Sequence, residues 1–262
     1  MGAVNPRAFR LETALEHERV VLAVVLIVIP AACWTWIVVM ARDMYGPMTG
    51  ASAWMMSLDW DARRVALLWA MWAVMMAGMM LPSATPIILL YARAARARED
   101  ERRPGLRIHA LVGGYLLVWG VFSVAATWLQ RMLATRLLLT PMMEPAAPAA
   151  GAAVLLLAGL YQLTPLKRVC LASCRAPIAF LTQKWRPGVP GALRMGIAHG
   201  VYCLGCCWAM MLLLFAGGVM NLAVIVALTA WVLVEKLAPF GQQSARVSGA
   251  LLIGFSVWMM LR

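Results

Sequence analysis

Long apolar runs constrain this chain more than any other feature. A hydrocarbon core of about 30 Å is crossed by roughly 20 helical residues. Seven segments approach that length: about 20–41, 65–91, 108–130, 149–166, 193–216, 219–237 and 247–261. A bilayer offers no water to free backbone groups, so such runs must fold as helices. The expected fold is therefore all-α: a polytopic membrane helix bundle of about seven transmembrane helices, contacting the lipid bilayer. It forms a single transmembrane domain over 1–262, with 1–19 as a cytoplasmic N-terminal segment and 20–262 as the bundle. The fourth and seventh runs are short and are expected to tilt or to cross incompletely. Between the fifth and sixth only "GGVMN" intervenes, which requires a tight turn between antiparallel neighbours.

Composition agrees. Hydrophobic residues make up 63% of the chain and charged ones 13%, whereas soluble domains average about half and about a quarter. A net charge of +12 would suggest nucleic acid in a soluble protein. Here the cations lie in loops between apolar runs, and no basic stretch is interleaved with aromatics, so no nucleic-acid partner is expected. Counted by loop, 17 Lys and Arg fall on the side that holds the N-terminus and 6 on the other. That bias predicts N-in, C-out. The segment before the first run is too long and too acidic (Glu12, Glu16, Glu18) for a cleaved leader, so the first helix is expected to be retained.

Two constellations within the spans carry chemistry. The fifth span reads "AHGVYCLGCCWAMM". His199, Cys203, Cys206 and Met210 follow the i, i+4, i+7, i+11 series that shares one helix face, with Cys207 beside it. One helix cannot surround a metal, because successive turns are about 5.4 Å apart and metal–sulfur bonds only about 2.3 Å. The second donor is "LKRVCLASCRAP" after the fourth span, where Cys170 and Cys174 share a side if the segment is helical. Lys167, Arg168 and Arg175 favour the thiolate form of these cysteines. In the predicted topology all five thiols lie on the reducing, cytoplasmic side, and Cys33 stands apart. The alternative is that these cysteines merely fill packing gaps as small hydrophobes.

The second span reads "WAMWAVMMAGMMLPSATP". Met71, Met75 and Met79 repeat every four residues, and Met76 and Met80 do the same beside them. Thioethers bind Cu(I) and ignore hard cations, so the stripe is a possible pathway, although methionine is also an adaptable core filler. Pro82 and Pro86 are expected to kink or break this helix and free backbone carbonyls. Further methionines (Met44, Met48, Met55, Met56, Met142, Met143) fall on the predicted outer side. Glu235 and Lys236, at the end of the sixth span, are expected to pair with each other as an interfacial anchor. The glycines of the third span, Gly114 and Gly120, form no repeat that would predict close helix contact.

"AGMMLPS", "PLKRVCLASCRAP" and "GIAHGVYCLGCCWAMM" followed by "EKLAPFG" resemble a bacterial family of predicted metal-binding integral membrane proteins, domain of unknown function 2182. The resemblance covers roughly residues 65–241. It implies a bacterial inner (cytoplasmic) membrane protein with a metal role at Cys170, Cys174, His199, Cys203, Cys206 and Cys207. Ligand softness makes Cu(I) the favoured metal, with zinc as the alternative. The expected function is soft-metal binding for transport, delivery or homeostasis, with a metallochaperone or a metalloenzyme client as partner. No catalysis is expected. Two other readings stay open: a thiol oxidoreductase using Cys203-x-x-Cys206, and a structural or assembly subunit with packing cysteines or structural zinc.

Overall fold

In a computed structural model the described residues are 19–49, 51–56, 60–96, 104–140 and 142–261. The predicted cytoplasmic segment 1–19 lies outside them except for Arg19. Eleven α-helices occur among the described residues: α1 (Ile29–Met44), α2 (Ala51–Met55), α3 (Ala62–Met80), α4 (Thr85–Arg96), α5 (Pro104–Thr135), α6 (Pro148–Gln162), α7 (Pro165–Arg175), α8 (Pro177–Lys184), α9 (Gly188–Gly217), α10 (Leu222–Leu237) and α11 (Gly241–Met260). A π-helical turn, Val24–Val28, leads into α1. No strand occurs among the described residues; Leu139 and Pro145 form an isolated bridge.

Four helices are long and apolar enough to cross a membrane: Arg19–Met44, Ala62–Arg96, Gly105–Thr135 and Gly188–Gly217. The pair α6 and α7, bent by 66°, is a fifth if it counts as one span. The expected sixth and seventh spans are helical, but α10 and α11 have 16 and 20 residues and neither belongs to that set. The starts of several helices follow from local chemistry. Pro148, Pro165 and Pro177 each open a helix where a missing N–H is no loss. Asp61, Thr164 and Asn221 cap α3, α7 and α10 by accepting backbone N–H groups. The α9–α10 turn is as tight as expected, with Gly218 at φ +90°, a conformation that suits glycine.

The expected break in the second span lies at Pro82 alone. A 3₁₀ turn, Pro82–Ala84, separates α3 from α4, while Pro86 sits in the first turn of α4 and interrupts nothing. Pro82 has no N–H for the Gly78 carbonyl, and the Trp34 indole fills that role at 3.1 Å. The Met80 carbonyl is also released from the ladder. It accepts from the Ser83 hydroxyl at 2.7 Å and the Tyr115 hydroxyl at 3.0 Å.

Helix α9 is the axis of the bundle and packs on α5, α6 and α7. It meets α5 backbone to backbone. A Cβ on Gly196 would stand 1.9 Å from the Leu111 carbonyl, and one on Gly114 2.3 Å from that of Leu193. The absence of a small-residue repeat within the third span was therefore a poor guide. The contact is made by single glycines on two helices far apart in sequence.

Candidate metal centre

Cys203 lies halfway along α9 and is buried. Its sulfur receives a hydrogen bond from Lys236 Nζ at 2.8 Å and lies 3.1 Å from the Tyr115 hydroxyl. Lys236 Nζ also donates to Ser83 Oγ at 3.0 Å. Helices α5, α9 and α10 and the break after α3 therefore meet at one sulfur, and the methionine helix reaches the cysteine cluster through the Met80 carbonyl and Ser83. Met71, Met75, Met76, Met79 and Met80 are all fully buried.

The remaining thiols extend from Cys203 as a chain. Cys206 donates to the Cys203 carbonyl at 3.1 Å, and its sulfur is 3.3 Å from that of Cys207. The 66° bend after α6 swings α7 across α9 and brings Cys174 Sγ to 3.8 Å from Cys206 Sγ. Cys170 seats its sulfur against Gly205, where a Cβ would approach within 2.7 Å. The two cysteines thus face α9 from one side, as their spacing predicts. All six cysteines are free thiols. Among the described residues, no three His, Cys, Asp or Glu side chains are grouped to hold a metal ion; the thiols meet in pairs.

His199 is one turn before Cys203 and buried. Its ring stacks on Tyr115 and meets Phe180 edge-on, with centroids 5.8 and 5.4 Å away. Its Nδ1 has no hydrogen-bond partner among the described residues, and the ring borders a small cavity between α4, α5 and α9. Met210, on the same sequence stripe, faces elsewhere: its sulfur accepts from Gln162 Nε2 at 3.0 Å. Cys33 packs on Gly78 of the methionine helix, apart from the other thiols as expected.

The structure corrects the expectation for Glu235 and Lys236. Both are buried, at 1% and 7% exposed, and they are directed to different clusters. The Glu235 carboxylate accepts from Lys167 Nζ at 2.6 Å, Gln162 Nε2 at 2.8 Å, Trp231 Nε1 at 3.0 Å and Ser248 Oγ at 3.4 Å. Arg175, also on α7, donates to the Glu235 carbonyl at 2.6 Å. Consecutive helical residues point about 100° apart, so an adjacent acid and base on a buried helix serve different neighbours. Sequence reasoning missed Lys236, Tyr115, Ser83 and Gln162 as site residues. The available signal was a Lys and a Glu inside an apolar run, which mark functional positions by default.

A family model described as "PpoB2: Copper chaperone" matches residues 69–259, a range that contains both clusters and the methionines of α3. No curated protein and no solved structure matches the chain.

Proposed function

The chain belongs to the PpoB2 copper chaperone family, and from that premise we propose that it is a membrane-embedded carrier of Cu(I). It is a single bundle that crosses a bacterial inner membrane seven times, with its N-terminus in the cytoplasm. Copper is its cargo, and it acts as a carrier, not a catalyst. Cys203, Cys206, Cys207 and Cys174 form the binding cluster, with Cys170 and His199 bordering it. The methionines of α3 pass the ion toward it, and a metallochaperone or metalloenzyme client receives it.

One observation carries this reading: a chain of thiols at 3.3 and 3.8 Å in the middle of an apolar bundle. Thiolate, thioether and imidazole together favour a soft cation over magnesium, calcium or manganese. Two sulfurs on opposite sides of one metal stand about 4.6 Å apart at bond lengths of ~2.3 Å. The thiol pairs need to open by only about an ångström to accept one ion. Paired donors suit two-coordinate Cu(I) better than a metal that demands four ligands. Zinc would also leave the methionines without a role.

The test is metal content after anaerobic loading of the purified, full-length protein with Cu(I). Wild type is expected to retain copper through gel filtration, and the Cys203→Ser/Cys206→Ser variant to lose it. Equal, near-zero copper in both would end this reading.

A further inference from the structure

Lys236 has no task in copper carriage as described so far. It is buried in the bundle, yet its hydrogen-bond partners are a sulfur and a hydroxyl, Cys203 Sγ and Ser83 Oγ. The nearest acid in sequence, Glu235, is engaged by Lys167. A buried ammonium without an opposite charge is strongly unfavourable. The group placed to supply that charge is the Cys203 sulfur as thiolate.

Resting on the Cu(I) reading of this cluster, we infer that Lys236 is its specificity-determining residue, admitting a monovalent soft cation and rejecting divalent ones. The charges set this preference. Two thiolates carry two negative charges and Lys236 one positive, so one monovalent ion makes the site neutral. A divalent ion on the same two sulfurs leaves a net positive charge in a low-dielectric interior, where like charges repel strongly. A third thiolate would remove that objection, but no three such donors among the described residues are grouped around a common point. Coordination number acts in the same direction, since zinc takes four ligands in its structural sites. The geometry also gives the ammonium a second acceptor. When a metal takes the Cys203 lone pair, Ser83 Oγ still accepts from Lys236, with Met80 O holding Ser83 in place.

The experiment compares Cu(I) and Zn(II) affinities, by anaerobic competition titration, in full-length wild type, Lys236→Met and Lys236→Arg. Wild type is expected to bind Cu(I) and discriminate against Zn(II). In Lys236→Met, the zinc affinity should rise relative to that for copper by on the order of a hundredfold, because a repelling charge has gone. Lys236→Arg keeps the charge and should keep the discrimination. Lys236→Gln, which retains a donor for Ser83, provides the same test if methionine at this position prevents folding. A zinc-to-copper ratio unchanged in the neutral variants overturns the inference and leaves the Cu(I) reading standing. Failure of wild type to bind Cu(I) overturns both.

Discussion

Glu235 and Lys236 are neighbours on α10, buried to a similar extent, and they serve two polar clusters of opposite character. On the Glu235 side every partner is a hard N–H or O–H donor: Lys167 at 2.6 Å supplies the matching charge, and Gln162, Trp231 and Ser248 surround the same carboxylate. On the Lys236 side the counter-group is a sulfur, with further thiols behind it. The first cluster is closed, because its charges cancel and the carboxylate is surrounded by donors. The second can exchange partners, because sulfur can give up a proton or an ammonium for a soft metal. Burial alone does not distinguish a structural polar cluster from a reactive one; the chemistry of the counter-group does.

The largest effect should come from breaking the closed cluster. Lys167→Met leaves the Glu235 carboxylate buried without its cation, a change that typically costs about 3–5 kcal/mol. The thermal midpoint in detergent should fall sharply, and less folded protein should be recovered. The double variant Lys167→Met/Glu235→Gln removes both charges and should regain most of the loss, because neutral residues of similar size often replace a buried pair well. A single variant as stable as wild type would show that this cluster is not structural, and the contrast would collapse.

The difference between the two sides also separates what the sequence made legible from what it hid. The apolar runs, the break at Pro82 and the prolines that open helices depend on local rules, so they were visible. Cys170 and Cys174 were legible as a pair because an i, i+4 spacing holds wherever a helix forms. The two halves of the polar system were not. Met210 shares a stripe with Cys203 but stands about 10 Å further along the helix, where Gln162 receives it. Tyr115, Ser83 and Gln162 are ordinary polar residues in apolar runs until the bundle assembles. The close approach of two helices distant in sequence, at Gly114 against Leu193 and at Gly196 against Leu111, brings α5 near enough to α9 for Tyr115 to reach Cys203.

A smaller effect is expected from Tyr115→Phe on the exchangeable side. The ring and its stacking on His199 remain, while the hydroxyl contacts with Met80 O and Cys203 Sγ are lost. Met80 O keeps Ser83 as a donor, and Cys203 keeps Lys236. A loss of about 1 kcal/mol in stability follows, the net value of a typical hydrogen bond. Thermal unfolding of the metal-free protein measures it. A loss as large as that of Lys167→Met would mean that the sulfur cluster is held as rigidly as the carboxylate one.

The finest comparison removes one hydroxyl from each side. Among the described residues, Ser83→Ala strips Lys236 of its only oxygen partner and leaves Tyr115 as the side-chain donor to Met80 O, so about 1 kcal/mol is at stake. Ser248→Ala takes away the longest contact to Glu235, at 3.4 Å, and one acceptor of the Gln162 amide, at 2.8 Å, and leaves Lys167, Gln162 and Trp231 on the carboxylate. Its effect should stay below that of Ser83→Ala, because Glu235 keeps three donors and the Gln162 amide keeps Glu235 and Met210 as acceptors. Paired thermal-shift measurements on the two variants give the ordering directly. If Ser248→Ala is the more damaging, the carboxylate depends on each of its donors, and the idea of a redundant, closed cluster beside a sparsely held, exchangeable one is wrong. If Ser83→Ala is the more damaging, the ammonium on the sulfur side is held by few contacts, and that leaves it able to yield when a metal arrives.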